Sequence, residues 1–185
     1  RGTLQALMKG VLAFLVVSLS WLAALPARAQ DGSAVQRGEY VFQTTGGCSC
    51  HTDSENGGAF MAGGRPIKTP FGLVYGTNIT PDPKTGIGSW SDEDFIRAMT
   101  EGIAPDGSHY FPVFPYTSFT GMSREDLLDL KAFLFSVPAV ETENLPPDLI
   151  PPLGWRPGVG LWKALFFNPG PCLFLFEHSG SLPGL

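Results

Sequence analysis

The sequence predicts a mostly α, loop-rich domain with about three short helices, too small in regular structure to close a core without a staple. Three observations carry this. Glycine (23) and proline (17) make up about 22% of the 185 residues, well above the roughly 12% of average usage. Few stretches alternate apolar and polar residues over four or more positions between turn residues, so the strand signal is thin. Only three segments combine a helical apolar stripe with caps. At 43% apolar and 16% charged, the chain is neither disordered nor a coiled coil, and a domain burying so little core often leans on a metal, cofactor or disulfide.

Taken in order, Lys9 precedes an apolar run from Val11 to Leu25, and Ala27-Arg28-Ala29 supplies a small-residue cleavage site. Residues 1–29 therefore read as a secretory signal peptide, or as an N-terminal membrane anchor if uncleaved; fifteen residues are short for a span of about 20. The chain opens on Arg1 rather than Met, which fits a missing N-terminus. Without residues 1–29 there remain 9 basic and 17 acidic side chains, a net charge of −8. Such a balance argues against nucleic-acid and anionic-lipid partners.

The first helix is predicted over residues 34–45, where Gly38 and Phe42 share a face and leave a bare backbone patch for a close crossing. The second follows Trp90, with Ser91 as N-cap, three acids (Asp92, Glu93, Asp94) at its positive end, Phe95, Ile96 and Met99 on one face, and Gly102 as its stop. The third is capped by Ser123, carries Glu125 and Asp126 in its first turn and a stripe of Leu127, Leu130, Phe133 and Leu134, and ends at Val137-Pro138. Gly38, Phe42 and Phe133 are expected where the first and third helices cross. Between the first two helices, residues 56–89 form a Gly- and Pro-rich stretch too long for an idle loop. It is expected to wrap something.

Residues 46–51 read Gly-Gly-Cys-Ser-Cys-His. A cysteine directly before a histidine, with a second cysteine upstream, approaches the C-x-x-C-H attachment signature of c-type haem. Each part has a job: two thiols form thioethers with the two vinyl groups, and the adjacent histidine becomes the proximal iron ligand. Here the spacing is C-x-C-H, one residue short. Residues two apart lie about 200° apart on a helix, so regular geometry does not bring both thiols to one edge. Three readings stand: Cys50 alone is attached, the backbone distorts so that Cys48 also reaches, or a codon has been lost; attachment through Cys50 is the expectation, and the spacing puts Cys48 in doubt. The motif alone also admits a strained disulfide, or a zinc site completed by Cys172, His109 or His178.

Further segments recur in order: Arg37-Gly-Glu-Tyr40, Cys50-His-Thr-Asp53, Gly63-Gly-Arg65, Thr69-Pro-Phe-Gly72, Asn78-Ile-Thr-Pro-Asp82, Trp90 to Phe95, Asp106-Gly107 and Phe114-Pro-Tyr-Thr-Ser-Phe119. With these, residues 36–138 resemble the c-type cytochrome domains of the multi-haem cytochrome subunits of membrane-bound quinoprotein alcohol and gluconate dehydrogenases, and related small periplasmic cytochromes. The resemblance implies a small cytochrome c fold around one covalent haem, with His51 as an iron ligand and electron carriage as its work. It also implies a sixth ligand. Met61 lies only ten residues after His51 and Met99 fits the second helix's stripe, whereas Met122 stands in a loop before the third helix where a family member carries its distal methionine. Met122 is the expected ligand, with His109 or a vacant site as alternatives. Trp90, Asn78 and Arg65 are expected near the propionates, although Trp90 also suits a core and Arg65 a solvated charge. His109 is expected in a turn near the haem edge, or as a semi-buried histidine.

The domain is thus expected over residues 30–140, followed by a Pro- and aromatic-rich extension over 141–185. That extension holds 8 of the 17 prolines and the run Leu161-Trp-Lys-Ala-Leu-Phe-Phe167. It reads either as a truncated linker to a second haem domain or as an ordered extension that packs on the first. The functional expectation is an exported, periplasmic one-electron carrier between a dehydrogenase or quinol-linked complex and another cytochrome or oxidase. No general acid or base is needed, and no catalytic constellation is visible. The alternative is a haem enzyme, or dehydrogenase subunit, with an open distal site. Any membrane association would run through residues 10–25 or the C-terminal aromatic segment.

Overall fold

The computed structural model describes residues 32–152 and 154–170. The expected signal segment 1–29, Cys172 and His178 lie outside the described residues. Among the described residues, five α-helices and a small sheet make up the regular structure: α1 (Ala34–Thr44), α2 (Asp92–Glu101), α3 (Tyr116–Phe119), α4 (Arg124–Ser136) and α5 (Arg156–Phe166), with β1 (Pro66–Thr69), β2 (Gly72–Tyr75) and β3 (Asp148–Leu149). The fold is small, loop-rich and mostly α, as expected.

Each predicted helix begins where its cap is. Ser33 and Gln36 form a reciprocal capping box at α1, and Ser91 and Asp94 form another at α2, which stops at left-handed Gly102. Ser123 accepts from the Asp126 N–H at α4. Such caps occupy N–H groups that the helix itself leaves without partners. Two helices join the expected three. The added α3 is a single turn, and α5 carries glycines at 158 and 160 that weaken its helical signal. The thin strand signal conceals an antiparallel sheet in the order β1-β2-β3. Its strands, at four, four and two residues, are too short to show an alternation.

The frame rests on the crossing of α1 and α4. A Cβ at Gly38 would collide with the Asp129 carbonyl and lie 2.9 Å from the Phe133 Cβ, so only glycine permits this approach. Beside it the Phe42 and Phe133 rings stack at 4.9 Å between centroids, in the predicted crossing. Val41, Phe42, Met61, Ile87, Phe95, Met99, Leu127, Leu130 and Leu134 form the buried core. Arg37 clamps the same crossing from outside, donating from Nε and Nη2 to the two Asp129 carboxylate oxygens at 2.6 and 2.8 Å. Lys131 ties α4 to the start of α2, donating to the Trp90 carbonyl at 2.9 Å and to Asp92 at 2.7 Å.

Residues 32–170 fall within one compact unit. The chain returns along the 78–85 loop, adds β3 to the sheet beside β2, and ends in α5. There the buried Lys163 donates to the Glu101 and Gly102 carbonyls, each at 2.6 Å, with its ammonium 4.3 Å from the centre of the Tyr116 ring. The last carbonyls of α2, which lack helical partners, thereby gain a donor from the tail. Gly38→Ala is expected to destabilise the protein by about 2 kcal/mol or more, the usual cost of overpacking against backbone, with the shift read from the urea unfolding midpoint.

Candidate functional site

One cleft gathers the sequence motif and the loops. Cys48, Cys50 and His51 line it together with Ile67, Val74, Ile79, Ile87, Trp90, Phe95, Met99, Phe114, Leu130 and Leu134. Its walls are therefore mainly apolar, from α2, α4, the hairpin and the long 56–89 stretch. That stretch does wrap a space, as its length suggests.

The motif occupies a single 3₁₀ turn, Ser49–His51, entered through Cys48 at φ 46°. A non-glycine residue in that left-handed region costs about 1–2 kcal/mol. The turn is packed closely against the hairpin exit: a Cβ at Gly76 would collide with the Cys50 carbonyl. Regular helical geometry is thus absent here, and both cysteines line the cleft that His51 lines. Both are free thiols, Cys50 exposed and Cys48 partly buried, with burial pushing the Cys48 thiol up to about 11.

His51 is oriented by the loop. Its Nδ1 lies 2.7 Å from the Thr77 carbonyl oxygen, an atom that can only accept, so Nδ1 carries the proton and Nε2 keeps its lone pair. Burial pulls the His51 pKa down, opposed in part by that same carbonyl. A neutral imidazole with one nitrogen anchored and the other free is the arrangement of a metal ligand. Two thiols, this imidazole and apolar walls fit the donor set and lining that covalent haem requires. Among the described residues, no three His, Cys, Asp or Glu side chains come together to hold a metal ion.

The other predicted residues divide. Trp90 and Asn78 line the cleft. Asn78, 2% exposed, commits its amide: Nδ2 donates to Thr85 Oγ1 at 2.9 Å and to the Val140 carbonyl at 2.6 Å, while Oδ1 accepts from the Thr80 N–H and hydroxyl. Its backbone N–H donates to Asn144 Oδ1 at 2.7 Å. It braces the wall and has no proton left for a ligand. Arg65 is not among the cleft residues; its guanidinium donates to the Ser49 carbonyl at 3.0 Å. Met122 packs, partly buried, against the core cluster without lining the cleft, which Met99 does. Met61 is fully buried. His109 pairs in an isolated bridge with Ile103, faces α5 at Gly160, and lies outside the cleft, its buried Nδ1 without a partner.

Sequence reasoning missed Tyr110, Asn144 and Arg156, all of which line the cleft. No local signal marks Asn144 or Arg156, since both reach it only through the return of the chain after residue 140.

No protein-family model matches the chain. Curated proteins do. It is 40% identical to a subunit of the nicotinate dehydrogenase of Pseudomonas putida over 91% of this chain and 15% of that protein. It is 40% identical to the cytochrome c subunit of the quinone alcohol dehydrogenase of Gluconobacter oxydans over 77% of this chain and 30% of that one. With the gluconate 2-dehydrogenase cytochrome c subunit of Pantoea cypripedii it shares 39% identity over 86% and 36%. The chain thus spans about a third or less of the length of these relatives.

Asn78→Ala strips the brace between the 78–85 loop and residues 140–144. It is expected to cost about 3 kcal/mol, the scale of leaving several buried polar groups unpaired, and to speed proteolytic cleavage within residues 140–150.

Proposed function

The chain is a homologue of the cytochrome c subunits of alcohol and gluconate dehydrogenases, and on that premise we propose that it is a one-electron carrier holding a single haem c. The observation that supports this most is the turn that presents Cys48, Cys50 and an Nδ1-anchored His51 to one apolar cleft. When bound, haem c supplies an iron couple that takes up and releases one electron. Every other role belongs to the chain.

Cys50 would hold the haem through one thioether, and Cys48, whose left-handed backbone departs from helical spacing and which lines the same cleft, would supply the second. His51 offers Nε2 to the iron, fixed in rotation by Thr77. Met122 would be the thioether donor to the iron, a soft ligand that favours the reduced state. Its support is a position at the α3–α4 junction, packed on the cluster that floors the cleft, while Met99 is fixed in the α2 stripe beside Phe95. The apolar walls exclude water and keep the local dielectric low. Residues 1–29 direct export, so the carrier works in the periplasm, between a dehydrogenase or quinol-linked donor and another cytochrome or oxidase, at the outer face of the inner membrane. Among the described residues no helix is long and apolar enough to cross a membrane.

A second reading, a haem enzyme with an open distal site, is favoured by one observation: Met122 is not among the cleft-lining residues. Spectra separate the two. The carrier shows low-spin reduced bands and a methionine-to-iron charge-transfer feature that Met122→Leu abolishes and Met99→Leu retains; high-spin bands in the unaltered protein establish the enzyme reading instead. A pyridine haemochrome spectrum is expected to count two thioethers, falling to one in Cys48→Ala. A count of one in the unaltered protein detaches Cys48 from the site.

A further inference from the structure

The cleft carries a cation that none of the expected site residues explains. Arg156 is the only lysine or arginine among the described cleft-lining residues. It opens α5, where the helix dipole disfavours positive charge. Its guanidinium receives no carboxylate partner among the described ion pairs; Nη1 donates to Ser108 Oγ at 3.0 Å, and its central carbon lies 5.8 Å from the centre of the Phe111 ring. Tyr110 lines the same cleft, its ring set edge-on to Phe114 at 5.6 Å.

A haem in this cleft brings two carboxylates, and a carboxylate near apolar walls needs a charged partner or several donors. Arg65 is turned to Ser49 and the Asn78 amide is spent. We propose that Arg156, with Tyr110 of the same cleft, is the propionate clamp of this protein, so that the helix after residue 155 belongs to the cofactor-holding machinery. This rests on the haem reading given above. Burial pushes the Tyr110 phenol up to about 12, so it remains a proton donor at every physiological pH. The other titratable groups facing this corner are Asp106, whose carboxyl is held below its ordinary range chiefly by the Ser108 N–H, and His109, which packs against α5 at Gly160 and which burial keeps below its usual value.

The test measures the reduction potential of the full haem-loaded chain between pH 5 and 8. With Arg156 in place, the clamped propionate stays ionised and its contribution to the potential is flat. In Arg156→Ala the potential is expected to fall, because a cation that favours the reduced iron is gone. It is also expected to decline with rising pH across this window, because the released propionate now titrates there. Arg156→Lys restores most of both, Arg65→Ala matches the unaltered protein, and any His109 titration is common to all. An Arg156→Ala profile that superimposes on the unaltered one, with haem content intact, overturns the clamp. Absence of haem from the unaltered protein overturns the haem reading instead, and the haemochrome spectrum separates the two failures.

Discussion

A hydrogen bond of 2.7 Å from the His51 Nδ1 to the Thr77 carbonyl links the motif turn to everything that encloses it. Thr77 precedes Asn78, and Asn78 holds Thr80, Thr85, Val140 and Asn144 in one buried network. From there the chain adds β3 to the hairpin and enters α5. The orientation of one imidazole is thus set by a loop, which is set by an asparagine, which positions the tail. Loops can hold a ligand this firmly only when their backbone groups are satisfied within the protein, because orphaned buried groups cost more than the bonds gain.

The helical frame does a different job. The α1–α4 crossing at Gly38 and the Lys131 link to α2 fix three short rods, and the apolar faces of α2 and α4 supply walls of the cleft. These rods alone enclose little. The hairpin, the 56–89 stretch and residues 140–156 complete the enclosure, which accounts for the high glycine and proline content: tight turns around a bulky cofactor demand residues that accept unusual backbone angles. The motif itself turns through one left-handed residue, Cys48.

What the sequence made legible follows from how local each signal is. Helices α1, α2 and α4 were readable because caps and stripes are written within a dozen residues. The crossing at Gly38, Phe42 and Phe133 was readable from a bare patch beside a ring. The sheet was not, because β1 and β2 are too short to show an alternation and β3 joins them only through the return of the chain. Arg65 and Arg156 illustrate the limit: near the motif in sequence, Arg65 turns to the outside of the turn, whereas Arg156, about a hundred residues away, arrives at the cleft through tertiary folding. Similarly, Asn78 reads as a ligand donor from its neighbourhood, yet its network makes it a brace. The tail, distinct in composition, is continuous with the domain through Lys163 and β3.

A protein built around one covalently held haem carries that group in its mass. The most direct measurement is the intact mass of the full chain made together with the cellular machinery that attaches haem, compared before and after acid–acetone extraction. An increment of one haem that survives extraction is expected. A chain without the increment, or one that loses it on extraction, would contradict it.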